Sequence, residues 1–148
     1  MILRNAVINY WMKNRAVAQI HYLKKNKVQI IEDFNEEEVS VRVEQFLVNY
    51  IDSLLIYSLK GNHFKEFPSL PFVMIDSRVT LYYLNSETQV ITICMPEYEN
   101  EEMGYFSFLS PIGLQLLLKQ VGDSVTLGEC SKLQDATIQS IEFSSVEN

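Results

Sequence analysis

The sequence predicts an α+β protein with two parts. Residues 1–68 read as an N-terminal antiparallel helical hairpin, short and coiled-coil-like. Residues 69–148 read as an antiparallel sheet domain carrying one short helix. Three observations predict this. The stretch from about Leu3 to Lys25 lacks Gly and Pro, and the apolar residues after Asn35 recur at helical spacing. Two prolines within Phe67-Pro68-Ser69-Leu70-Pro71 bias their neighbours toward extended chain and divide the sequence. Beyond them, short runs of Val, Ile and Thr alternate with turn residues, as strands do.

The first helix is expected from about Leu3 to Lys25, with a wide apolar set of Val7, Tyr10, Trp11, Val17, Ile20, Tyr22 and Leu23. A connection around Asn26–Phe34 follows, and Val28, Ile30 and Ile31 within it suggest that it is not wholly solvated. Asn35 can cap the second helix, and Glu38, three residues on, completes a capping-box-like start. Glu36, Glu37 and Glu38 fall where the helix dipole favours negative charge. Val39, Val43, Phe46, Leu47, Tyr50, Ile51, Leu54 and Leu55 give the apolar stripe, which ends at or before Gly61. Each helix is read as roughly 22 residues, about 33 Å long.

In the second part, Ser77–Leu84 reads as a strand with Val79, Leu81 and Tyr83 on one face. Asn85-Ser86-Glu87-Thr88 has turn chemistry, and Gln89–Met95 is the return strand. Pro96–Gly104 reads as an acidic loop and Tyr105–Leu109 as a short strand. Ser110 caps a helix whose first residue is Pro111, the position where proline costs least. Leu114, Leu117, Leu118 and Val121 are its expected buried stripe, with Gly122 as its end. Ser124–Leu127 and Asp135–Phe143 are the last strands. Ala136 and Ile138 share one parity while Ile141 and Phe143 have the other, which predicts a bulge near Gln139-Ser140.

At 148 residues with 47% hydrophobic and 21% charged residues, the chain can bury a core without staples. Its formal net charge of −7 disfavours direct binding of nucleic acid by bulk charge. Cys94 and Cys130 are far apart and no CxxC or Cys/His cluster exists, so neither a zinc site nor a cofactor is expected. Polar residues interrupt the N-terminal apolar stretch, so no membrane span is expected and the cytoplasm is the default location. No Ser/His/Asp set, phosphate loop or paired-carboxylate spacing emerges, and the chain is expected not to be an enzyme.

The order of pieces in the second part resembles a known family. It begins with Asp76-Ser77-Arg78-Val79, continues through the Asn-Ser-Glu-Thr hairpin and reaches a strand ending in Met95-Pro96. Then come Ser110-Pro111-Ile112-Gly113, a Val-Gly-Asp-Ser-Val turn and the closing Thr-Ile-Gln-Ser-Ile-Glu-Phe strand. From Met74 onward this resembles the C-terminal domain of the GreA/GreB transcript-cleavage factors. The closer likeness is to the small Rnk-type members of that superfamily, described as regulators of nucleoside diphosphate kinase. The resemblance implies an FKBP-like fold, an antiparallel sheet wrapped against one short helix. It also implies docking on RNA polymerase near the secondary channel, with the helical hairpin entering that channel. In GreA and GreB, acidic residues at the hairpin tip help hold a catalytic magnesium of the polymerase.

The chain departs from that pattern where the chemistry would be. The family's Gly-Asp-Leu-x-Glu-Asn-Ala-Glu-Tyr tip motif is absent, so transcript-cleavage stimulation is not expected. Leu118 also stands where the family often has Gly after its paired leucines. The resemblance implies polymerase docking through Phe108, Ser110, Pro111, Ile112 and Gly113. Asp33, Glu36 and Glu37 are the candidate tip acids, weighed against their plainer reading as solvated charges at a helix start. Glu97, Glu99, Glu101 and Glu102 read foremost as a solvated connection. Two further readings stand beside polymerase regulation. One is an interaction module that keeps the fold but binds another partner or itself. The other, weaker, is prolyl isomerisation, which needs an aromatic-lined pocket that a sequence cannot place.

Overall fold

The structure, a computed structural model, describes residues 2–33, 37–60, 70, 72–127 and 134–144, with side chains from 15 onward in the first helix and over 41–56 in the second. The chain forms two compact units, residues 1–65 and 66–148.

The first unit holds α1 (Ile2–Glu32) and α2 (Glu37–Lys60). Gln19 pairs with Tyr50 through a 2.7 Å hydrogen bond, and Lys27 pairs with Glu44 at 3.8 Å. Moving forward along α1 thus moves backward along α2, and the helices are antiparallel. Ala16, Ile20, Leu23 and Ile30 bury one stripe of α1 against Val43, Leu47, Tyr50 and Leu54 of α2.

Both helices exceed the expected length, at 31 and 24 residues, or about 46 and 36 Å. The expected connection at Asn26–Phe34 is largely helix. Ile30 repeats Leu23 seven residues later on the buried stripe, and no Gly or Pro interrupts the run. The expected Asn35 cap lies outside the described residues.

The second unit is built on a five-stranded sheet of β1 (Ser77–Tyr83), β2 (Thr88–Cys94), β3 (Tyr105–Ser107), β4 (Ser124–Leu127) and β5 (Gln134–Phe143). Their spatial order is β3-β2-β1-β5-β4. Period-two alternation places Ser77, Val79 and Leu81 of β1 inside, with Arg78 and Tyr82 on the opposite face. Ile91 and Ile93 of β2 and Ala136, Ile138, Ile141 and Phe143 of β5 complete the buried face. Four side chains of mixed parity on β5 reach one face because the pairing slips between Thr80 and Leu81. Thr80 faces Ser140 and Leu81 faces Ile138, leaving Gln139 as the extra residue of the expected bulge.

One pairing corrects the expectation of a wholly antiparallel sheet: β3 runs parallel to β2, with Thr92 opposite Tyr105 and Cys94 opposite Ser107. The segment between them allows it. Two single 3₁₀ turns, Pro96–Tyr98 and Glu101–Met103, return the chain to the start of β3's register, so that β3 leaves in the direction of β2. The sheet is therefore mixed.

The short helix α3 (Pro111–Leu116) packs against β3 and β4. It is shorter than expected. Leu117 already has extended backbone, with φ −56° and ψ 138°, and Leu118 is left-handed at φ 71°. Gly122 lies in a later turn, and Val121, expected in the buried stripe, is exposed. Backbone pairing explains the early stop. Leu118 N–H donates to the Val73 carbonyl, and Val73 N–H donates to the Lys119 carbonyl, both at 2.9 Å. A continuing helix would forfeit those bonds.

Candidate functional site

The corner at Ser107–Gly113 joins β3 to α3 and contains all five candidate docking residues. Its local structure follows from two serines three residues apart. Ser110 Oγ accepts the Gly113 N–H at 3.0 Å, so Ser110 caps the helix as its sequence position predicts. The same hydroxyl donates to the Ser107 carbonyl at 2.7 Å. Ser107 Oγ in turn accepts the Leu109 N–H at 3.0 Å. Ser107 is buried, and these bonds satisfy its polar atoms inside the fold.

Gly113 is the tightest point of the corner. A Cβ placed there would stand 2.2 Å from the Ser107 carbonyl oxygen and 2.8 Å from Phe108 Cα. Only glycine lets the first turn of α3 lie this close to the end of β3. Pro111 at the first helical position removes an N–H that would have no intrahelical partner.

The five residues divide by depth. Pro111 is exposed, and Ser110 and Ile112 are half-buried. Gly113 is buried and Phe108 has 0% exposure, so both support the corner from below. Phe106 is buried as well, and neither phenylalanine presents a ring at the surface. What a partner can touch here is Pro111 with the edges of Ser110 and Ile112.

The acidic segment is tied to this corner. Glu99 Oε2 accepts the Ser107 N–H at 3.1 Å. Sequence reasoning singled out neither Glu99 nor Ser107 for such a role. The Ser-x-x-Ser spacing at 107 and 110 was the available signal, since short hydroxyls repeatedly bond backbone groups two or three residues away. Cys94, at the end of β2, is buried nearby. Burial pushes its thiol up to about 11, with smaller contributions from Glu99 and Asp76. A thiol held neutral in this way is a poor nucleophile.

Of the candidate tip acids, only Asp33 has a side chain among the described residues. Asp33 follows the last residue of α1 and is exposed, with its Oδ1 accepting from Gln29 Nε2 at 3.0 Å. Glu37 opens α2, but its side chain lies outside the described residues, as does Glu36 altogether. Glu32 and Asp33 sit at the C-terminal end of α1, where the dipole disfavours negative charge, so helix-start placement does not account for them. Among the described residues, no three His, Cys, Asp or Glu side chains are grouped to hold a metal ion. Among them, too, no helix is long and apolar enough to cross a membrane.

No curated protein matches the chain. Among solved structures, a prokaryotic transcription elongation factor GreA/GreB from Nitrosomonas europaea is 21% identical with a TM-score of 0.47, covering 53% of this chain and 66% of that one. The GreA factor homolog 1 protein of Thermus thermophilus is 19% identical with a TM-score of 0.46, covering 90% of this chain and 92% of that one. Its Thermus aquaticus counterpart is 18% identical with a TM-score of 0.45, covering 93% and 94%. The family model for the C-terminal domain of the transcription elongation factors GreA and GreB matches residues 68–143, which is the sheet unit almost from end to end. By that domain, more than half of its length, the chain belongs to the GreA/GreB transcription elongation factor family.

Proposed function

We propose that this protein is an RNA polymerase-binding transcription elongation regulator of the Gre type. It works in the cytoplasm and is not itself an enzyme. The sheet unit docks near the secondary channel through the Ser110–Gly113 corner, with Pro111 and Ile112 at the surface and Phe108 beneath. The helical pair occupies or obstructs the channel. The protein does not stimulate transcript cleavage, because the family's acidic tip motif is missing. The observation that carries this reading is the family match over 68–143. The corner's rigidity supports it, because a preorganised surface loses little freedom on binding.

The test is a pull-down with purified core polymerase, competed by GreB. The chain is expected to bind at micromolar concentration or better, and Pro111→Glu to abolish binding while leaving the fold intact. No retention of the unaltered chain at that concentration overturns the reading. Stalled elongation complexes then test the chemistry: addition of the protein is expected to release no short 3′ cleavage product.

One observation favours a second reading, a module that keeps the fold but binds another partner or itself. Val41, Leu55 and Ile56 of α2 are exposed although they lie on a helix with a well-filled inner stripe. A concentration-dependent mass in solution, together with failure to bind polymerase, would favour that module.

A further inference from the structure

The segment between β2 and β3 is built more firmly than a solvated connection requires. Tyr98 N–H donates to the Met95 carbonyl at 3.0 Å and Glu99 N–H to the Pro96 carbonyl at 3.2 Å. Asn100 and Tyr105 exchange both backbone bonds, at 2.9 and 3.0 Å. Met103 N–H reaches the Asn100 carbonyl, and Gly104 closes the second turn in a left-handed conformation at φ 84°. Yet this ordered segment presents two large apolar side chains to solvent, Tyr98 at 68% and Met103 at 70% exposure. Burying them would be favourable, and no loop has to be ordered first.

Charge defines what could cover them. Glu97, Glu101 and Glu102 surround the two side chains in sequence and are exposed. The chain has no Lys or Arg between Arg78 and Lys119, so these carboxylates have no cation on their own stretch. Glu99 is used internally: its bond to Ser107 N–H fastens the segment to the residue that also holds Ser110. The acidic shoulder and the docking corner are therefore one hydrogen-bonded piece.

We propose that residues 96–104 form a second docking surface, in which Tyr98 and Met103 enter an apolar recess of RNA polymerase rimmed by Lys and Arg. This rests on the polymerase-binding reading above and extends it from the Ser110 corner across Ser107. Tyr98 is the principal anchor, since a rigid aromatic with a polar tip suits a recess with a charged rim. The three free glutamates steer the encounter and set its salt dependence.

The experiment measures equilibrium binding of the full chain to core polymerase between roughly 50 and 300 mM salt, over which the Debye length falls from about 14 to about 6 Å. Tyr98→Ser with Met103→Ser is expected to weaken binding about tenfold. Glu97→Gln with Glu101→Gln and Glu102→Gln is expected to weaken it at low salt and to flatten its salt dependence. Neither variant should move the melting temperature, because the altered side chains are exposed. If both bind like the unaltered chain while Pro111→Glu does not bind, the corner stands and the shoulder is refuted. If the unaltered chain does not bind at all, the polymerase reading and this extension fall together.

Discussion

At the scale of single residues, positions near the corner carry constraints out of proportion to their size. Gly113 has no room for a methyl group against the Ser107 carbonyl. Gly113→Ala should cost about 1–3 kcal/mol, the range for overpacking a tight contact, as read from the shift in denaturant midpoint. Leu117 and Leu118 look equivalent in sequence and are not. Leu117 is 2% exposed, whereas Leu118 is half-buried in a left-handed conformation that penalises any side chain with a Cβ. Leu117→Gly should therefore cost at least about 3 kcal/mol. Leu118→Gly relieves backbone strain while losing some burial, and should stay within about 1 kcal/mol of the unaltered protein.

Cys94 makes a residue-scale prediction about pH. The folded protein holds the thiol up to about 11 because it is buried, against about 8.5 for a free thiol. Between those values the unfolded chain has lost its proton and the folded chain has not. The unfolded state then binds fewer protons, so stability must fall as pH rises through this window. Tyr83, raised by burial, adds to the loss at the alkaline end. Chemical denaturation of Cys94→Ser, which cannot titrate there, should show a flatter decline from pH 8.5 to about 11 than the unaltered protein. An equal slope in both proteins would assign the alkaline loss elsewhere.

At the scale of elements, the bulge in β5 makes an unusual forecast. Ala136 and Ile138 precede Gln139, Ile141 and Phe143 follow it, and all four side chains are buried. Deleting Gln139 would leave a regular strand in which the four come to share one parity. Deleting Thr137 instead shifts Ala136 to the other face and breaks the register with β4 at Ser124 and Val125. Thermal melting should find the first deletion folded and the second severely destabilised or unfolded. The same parity change makes this bulge legible in the sequence. The Ser110 cap is legible for a similar reason, because serine before proline marks a helix start by local chemistry alone.

Other elements are less legible because tertiary pairing decides them. The parallel β3 depends on how two 3₁₀ turns redirect the chain, and nothing in an acidic ten-residue stretch encodes that direction. The early end of α3 depends on Val73, some forty-five residues away, capturing the Leu118 and Lys119 backbone. α1 is expected to end near Lys25 and instead runs seven residues further, to Glu32. The β-branched residues Val28, Ile30 and Ile31 argue locally against helix, and burial of Ile30 against α2 overrides that preference. Of the candidate site, the helix cap could be read directly, whereas Gly113 entered only through the family resemblance and its tight contact with Ser107 shows only in the fold. The depth of Phe108 and the Glu99–Ser107 fastening could not, since both are relations between elements.

At the scale of the whole molecule, charge separates two ways in which the regulator proposed above would reach a transcribing complex. The chain carries a net charge of −7, and its densest basic run is only Lys24-Lys25-Asn26-Lys27. Phosphate backbones bind proteins chiefly by exchanging condensed counterions for Lys and Arg, so this surface has little to offer them. On that ground the full chain should not shift double-stranded DNA in a gel at ~150 mM salt, even at tens of micromolar, roughly where weakly basic domains still bind non-specifically. Association with a polymerase elongation complex should then be unchanged when the DNA flanking the enzyme is shortened to the footprint. Dependence on flanking DNA would mean that the protein reaches the complex through nucleic acid, and the protein-docking account of its acidic surface would have to be abandoned.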